Sequence, residues 1–193
     1  TADKQAEKVL YEELKHARPK YGFLMEESGT VEGTDPNKQR WIIDPLDGTL
    51  NFLHGIPHFA ISVALEEKGE VIAGAVYQPL TDEFYWAEKG AGAYLNDRRL
   101  RVSGRRNMQE SVIATGIPVT GLGGDHDVFL AQQRAVMGAT AGVRRFGAAA
   151  LDLAWVASGR FDGFWEHKLK PWDIAAGVLL VKEAGGYVSD YAG

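Results

Sequence analysis

The sequence contains no cysteine. That excludes a disulfide scaffold and a zinc–thiolate site, and it fits a reducing cytoplasm, where this chain is expected to reside. Long apolar stretches are lacking too. Runs such as Phe59 to Leu65 fall far short of the roughly 18 residues a membrane span needs, and no signal peptide is evident, so no membrane association is expected. Positive charge is also scarce. Lys and Arg number 21 against 26 Asp and Glu, for a net charge of −5, which argues against a general nucleic-acid binder. An anionic ligand stays open, because bound cations can invert the local field. No internal repeat, low-complexity stretch or interdomain linker is present.

What is there is an ordinary globular composition: 193 residues, 45% hydrophobic and 24% charged. A chain of this length buries roughly 70% of its unfolded surface, and one domain over residues 1–193 is expected. Both ends read as cut. Thr1 opens the chain without an initiator Met, and Gly193 closes it just after a strand-like stretch.

Apolar residues at Ala6, Val9, Leu10, Leu14 and Ala17 fall at helical spacing, which predicts a helix over Asp3–Ala17 with Thr1 or Asp3 as its cap. Gly22–Met25 and Arg40–Ile43 read as short strands, separated by a polar loop from Ser28 to Lys38. Phe59–Gln78 reads as two strands around a turn at Glu66–Glu70, with the second strand buried on both faces. Further strands are predicted at Glu83–Ala87, Ala93–Leu95, Leu100–Val102 and Phe161–Glu166. Helices are predicted at Asp125–Met137, Ala148–Ala157 and Ile174–Ala184. Helices flank strands throughout, so the expected class is layered α/β or α+β.

The chemistry concentrates in carboxylates. Asp44-Pro45-Leu46-Asp47-Gly48-Thr49 holds two of them three residues apart at the end of a strand. Pro45 fixes its own φ and Gly48 permits a tight turn, so both Asp side chains and the Leu46 carbonyl can aim at one point. Hard cations such as Mg²⁺ take oxygen ligands of this kind. Asp-Pro and Asp-Gly are equally common turn dipeptides, and the hexapeptide alone does not separate the two readings. Glu26 ends one short strand as Asp44 ends the next, and if the strands are neighbours the two acids meet at an edge where open α/β sheets bind ligands. Two carboxylates about 4 Å apart repel by roughly 4 kcal/mol at an effective dielectric of 20, a penalty a cation removes. Asp173, after Trp172, opens a helix, where an acid is favoured by the helix dipole alone.

Taken together, Met25-Glu26-Glu27-Ser28, Trp41 to Thr49 and Trp172-Asp173-Ile174-Ala175-Ala176-Gly177 resemble the inositol monophosphatase family. Gly74-Ala75-Val76-Tyr77, Lys89 to Tyr94 and Glu183-Ala184-Gly185-Gly186 are similar to it in the same order, so the resemblance covers essentially the whole chain. It implies a sugar-phosphatase fold, an αβαβα sandwich with two sheets. It implies a Mg²⁺-dependent, lithium-sensitive phosphatase that hydrolyses a small phosphorylated polyol, foremost myo-inositol 1-phosphate, by in-line attack of a metal-activated water. Histidinol phosphate, fructose 1,6-bisphosphate, a nucleotide 3′-phosphate and NADP are the alternative substrates. Two to three ions are implied, held by Glu26, Asp44, the Leu46 carbonyl, Asp47 and Asp173. Glu26, Thr49 and Asp3 match residues that orient or deprotonate the water. Asp47, Gly48, Thr49, Gly147, Ala148, Ala149, Glu166 and Asp173 match positions bordering the substrate, and Glu166 matches a contact to its hydroxyls. A homodimer is implied, and some relatives bind transcription machinery. The chain departs from the family at Ala148, where Ser or Thr is usual, and it lacks the family's N-terminal helix and the segment beyond Gly193.

Other features read more plainly. His54 and His58 are four apart, but Gly55 and Pro57 argue against a regular helix there, so packing is expected rather than metal binding. Gly90-Ala91-Gly92 lacks the third glycine of a dinucleotide turn and reads as a β-turn. Arg98, Arg99, Arg101, Arg105 and Arg106 read as a solvated strand edge that suppresses edge pairing, with anion or nucleic-acid contact as the alternative.

Overall fold

A computed structural model describes residues 1–118 and 126–193. The first helix, α1 (Ala2–Ala17), starts at Thr1, which makes no side-chain cap bond. Its apolar side chains Leu10, Tyr11 and Leu14 pack on Phe23, Met25 and Ile43. These belong to β1 (Gly22–Met25) and β3 (Gln39–Asp47), which pair in parallel with Met25 opposite Ile43. The predicted adjacency of Glu26 and Asp44 follows from that register.

The polar stretch after Glu26 is not all loop. Gly29–Val31 forms β2, an edge strand antiparallel to β1. Nor does the second strand stop at Asp44. β3 runs through Pro45 to Asp47, because β4 (Ala60–Glu67) continues to pair with it. Asp44 faces Ser62 and Asp47 faces Ala60, so a bulge absorbs one extra residue and accommodates the missing Pro45 donor. Gly48 then turns the chain at φ +85° into a short helix, α2 (Thr49–Leu53), that the sequence pattern did not predict.

β5 (Glu70–Gln78), β6 (Glu83–Glu88), β7 (Gly92–Leu95) and β8 (Arg98–Arg99) complete an eight-stranded sheet in the order β2-β1-β3-β4-β5-β6-β7-β8. The last strand falls at Arg98–Arg99 and not at Leu100–Val102, and its arginines line the sheet edge as expected. The sequence pattern predicts β5 to be buried on both faces. It alternates instead: Gly74, Val76 and Gln78 are buried while their neighbours are half-covered. A second sheet is built from β9 (Val112–Thr115), β10 (Gly142–Arg144) and β11 (Gly163–Trp165), all parallel, in the order β10-β9-β11.

The helices α4 (Ala149–Ala157) and α5 (Pro171–Glu183) pack together and separate the two sheets. Small residues set the approach. A Cβ on Gly74 would stand 2.8 Å from Ala176 Cα, and one on Gly177 would stand 2.5 Å from Leu153 Cβ. Helix α3 (His126–Ala139) lies against β10, and the expected start at Asp125 lies outside the described residues. The layers run α1, first sheet, α4 and α5, second sheet, α3, which is the αβαβα arrangement. Among the described residues no helix is long and apolar enough to cross a membrane.

Candidate active site

The bulge of β3 carries the site. Asp44 is 2% exposed and its Oδ1 accepts the Leu46 N–H at 2.9 Å. The Leu46 carbonyl accepts the Thr49 hydroxyl at 2.9 Å, so Thr49 is engaged with this expected ligand. Glu26 stands just past the end of β1, its N–H bonded to the Ile43 carbonyl at 3.2 Å. Glu26 and Asp44 lie close enough to interact, which works to lower Glu26 and to raise Asp44.

Asp47 is turned toward α4. Its Oδ2 accepts the Ala150 N–H at 2.7 Å, across 103 residues of sequence. Ala148 occupies the N-cap of α4 and offers no side-chain acceptor, so the Asp47 carboxylate satisfies a helix-start amide that a Ser or Thr side chain ordinarily would. Asp173 Oδ2 accepts the Lys170 N–H at 2.6 Å. It therefore caps α5, as a helix-start acid should, and also faces the cluster.

Electrostatics join these groups. Burial, then Asp47 and Glu26, push Asp44 up to about 10. Burial raises Asp47 to about 7 against the pull of helix amides, with Asp173 and Glu166 adding to the rise. Burial and Asp173 bring Glu166 to about 7, while Arg145 opposes them. Burial chiefly raises Glu26, and Asp173, Glu27 and Asp3 also push it upward. Buried carboxylates that disfavour their own ionisation in this way mark functional sites. A Cβ on Gly48 would stand 3.3 Å from Ala148 Cβ, and Gly147 has φ +80°. Asn51 Nδ2 donates to the His58 and Phe146 carbonyls, both at 2.7 Å, which ties α2 to the loop before Gly147.

The donor set suits a hard divalent cation: all oxygen, four of the five groups carboxylates, with Asp44 and Asp47 buried, Asp173 half-buried and Glu26 exposed. Among the described residues, no three such side chains converge into a ready coordination sphere. The fit is therefore one of chemistry and placement, and the carboxylates have to close on an ion to hold it.

The whole chain, residues 1–193, matches the model of the Inositol monophosphatase family. The protein belongs to that family. It is 59% identical over 192 residues to an Inositol-1-monophosphatase of Rhizobium meliloti (strain 1021), covering 100% of this chain and 71% of that protein. It is 46% identical over 200 residues to Nus factor SuhB of Escherichia coli (strain K12), covering 99% and 71%. The crystal structure of extragenic suppressor protein suhB from Bartonella henselae superposes with a TM-score of 0.94 at 56% identity, covering 97% of this chain and 71% of that one. This family member is a phosphoric monoester hydrolase.

The structure also brings in residues the sequence reading passed over. Asp152 is 1% exposed, and burial followed by Asp47 and Glu166 raises it to about 8. A lone acid inside the apolar run Ala148–Ala157 was the available signal. Gly116 lies directly under the Glu166 carboxylate. His58 is buried between Phe146 and Trp155, at ring distances of 4.9 and 5.2 Å, and packs as expected, while His54 ends α2.

Proposed function

We propose that this protein hydrolyses a small phosphorylated polyol, with myo-inositol 1-phosphate the foremost candidate, in a Mg²⁺-dependent reaction carried out within one inositol-monophosphatase-like domain. The observation that carries the reading is the set of carboxylates gathered around the β3 bulge, with Asp44 and Asp47 buried and Glu26 beside Asp44 at the ends of paired parallel strands. Glu26, Asp44, the Leu46 carbonyl, Asp47 and Asp173 would hold two to three Mg²⁺ ions. Bound there, the cations would neutralise developing phosphate charge and acidify a water.

This chain's own groups do the rest. Glu26 takes or orients the proton of the attacking water. Asp3, which bears electrostatically on Glu26, biases that proton transfer. Thr49 holds the Leu46 carbonyl in place through its hydroxyl. The amides of Gly48 and Thr49 are suited to phosphate oxygens. Glu166 accepts from substrate hydroxyls, and Gly147, Ala148 and Ala149 wall the substrate. Ala148 supplies no hydroxyl of its own, which leaves Glu166 as the main polar selector for a polyol.

Phosphate release from inositol 1-phosphate, with and without Mg²⁺ and with a chelator, tests the reading. The four alternative phosphates serve as the comparison panel. A protein that is most active on inositol 1-phosphate and silent with chelator supports the proposal, while turnover unaffected by chelation sinks it. A second role rests on the exposed arginines from Arg98 to Arg106, together with relatives named Nus factor SuhB. On this reading a protein partner docks at that sheet edge, and a catalytically dead variant would still capture it. Assembly as a homodimer is part of the same reading, and sedimentation at micromolar concentration checks it.

A further inference from the structure

Helix α1 presents an apolar stripe to β1 and β3, yet the one residue of that helix that is fully buried is a carboxylate: Glu7, 3% exposed. Both of its oxygens are used. Oε2 accepts the Glu27 N–H at 2.9 Å and Oε1 accepts the Ser28 hydroxyl at 2.5 Å. Docking of α1 does not require this, because Leu10, Tyr11 and Leu14 already pack on Phe23, Met25 and Ile43. Burying a carboxylate is costly unless its hydrogen bonds are made in full. Here they are made at one place, the turn that immediately follows Glu26.

The consequence for Glu26 is specific. Its own N–H is tied to β3 through the Ile43 carbonyl at 3.2 Å. The next N–H, that of Glu27, is tied to α1 through Glu7. The Glu26 Cα is thus held from both sides, by the strand that carries Asp44 and by the helix that carries Asp3. Asp3 lies four residues before Glu7, on the same helix face, and contributes to the field at Glu26. We infer that Glu7 is a positioning residue for the carboxylate cluster: it fixes Glu26 relative to Asp44 and Asp3 through the Glu27–Ser28 turn. The inference rests on the site reading above and deepens it. Groups that orient metal ligands characteristically affect metal affinity or activity by about 10–100-fold when removed.

The test compares Glu7→Ala, Glu7→Gln and Ser28→Ala with the unaltered protein. Mg²⁺ binding is read by calorimetry and by the Mg²⁺-induced rise in Tm, and kcat and KM are read by phosphate release. Glu7→Ala should weaken Mg²⁺ binding and lower kcat by about tenfold or more, with KM for the phosphate ester at saturating Mg²⁺ little changed. Gln can still accept from Glu27 N–H while donating to Ser28 Oγ, so Glu7→Gln should recover to within about threefold of the unaltered protein. Ser28→Ala removes one arm of the clamp and should shift Mg²⁺ binding in the same direction by a smaller factor, which keeps the inference testable if Glu7→Ala does not fold. A lowered Tm with unchanged Mg²⁺ affinity and kcat in Glu7→Ala, or in Ser28→Ala if Glu7→Ala is lost, would make Glu7 a helix anchor only and overturn the inference alone. An unaltered protein that neither binds Mg²⁺ nor hydrolyses the ester overturns the site reading and the inference together.

Discussion

Gly116 offers the sharpest test of substrate selection. It follows β9 directly, where Thr115 pairs with Trp165, so it sits across from Glu166. A Cβ at this position would stand 1.9 Å from both Cδ and Oε1 of Glu166 and 2.3 Å from Oε2. Ordinary contact begins at 3.4 Å, so the half-buried carboxylate must withdraw by about 1.5 Å from its present position. The backbone of Gly116 is not in the left-handed region, so alanine is conformationally acceptable and the effect is one of space. A hydrogen bond to a charged group is worth about 1.5–3 kcal/mol. If Glu166 binds a substrate hydroxyl, Gly116→Ala should therefore lower kcat/KM for inositol 1-phosphate by roughly ten- to 150-fold. An aryl phosphate without neighbouring hydroxyls should lose less than about threefold, since nothing it uses has moved. The assay is phosphate release on both substrates from one preparation, with circular dichroism confirming the fold. Equal losses on the two substrates, or no loss on either, would refute the role given to Glu166.

Asp44→Asn should abolish Mg²⁺-dependent hydrolysis and the Mg²⁺-induced rise in Tm while leaving the metal-free Tm nearly unchanged. Asp44 already keeps its proton there, so the amide replaces a neutral group of the same shape. His58 is held down to about 4 by burial, below its unfolded value of about 6.5. Its neutral form therefore contributes in full above pH 6.5, and that contribution is lost as pH falls through 4, amounting to about 3 kcal/mol at most. His58→Phe should remove this slope, so that its unfolding free energy, measured in denaturant, falls less than the parent's between pH 6.5 and 4. Gly74→Val should push α5 off β5, because even a Cβ meets Ala176 at 2.8 Å. A Tm loss of several degrees should accompany weaker Mg²⁺ binding, since α5 carries Asp173. LiCl should inhibit turnover in competition with Mg²⁺, and a rate insensitive to lithium would count against the metal assignment.

The pairing of Glu26 with Asp44 was legible because two short apolar strands each end in an acid, and parallel register of neighbouring strands brings such ends together. The layered architecture was legible for a similar reason, since apolar periodicity survives without knowledge of partners. The course of β3 through Pro45 was not, because a proline reads as a strand end until the partner is known. It is β4, through Ser62 and Ala60, that keeps the chain extended across the bulge. Glu7 was illegible for a different reason. Among Lys and Glu neighbours it reads as a solvated helix acid, and its partners are an N–H and a hydroxyl about one strand away, which leave no periodic trace.

Asp47 combines both cases. As one of two acids in a turn-like hexapeptide it was ambiguous, and Ala148 looked like a missing hydroxyl. The structure links the two. Asp47 accepts the Ala150 amide that a hydroxyl at 148 would cap. Burial raises its pKa, and the α4 amides lower it. The helix start therefore favours the charged form of Asp47, the form that the proposed metal site would use. A Ser at 148 would compete for that amide, so with Ala148 the Asp47 carboxylate serves as a side-chain cap of α4 and ties the helix more closely to the site.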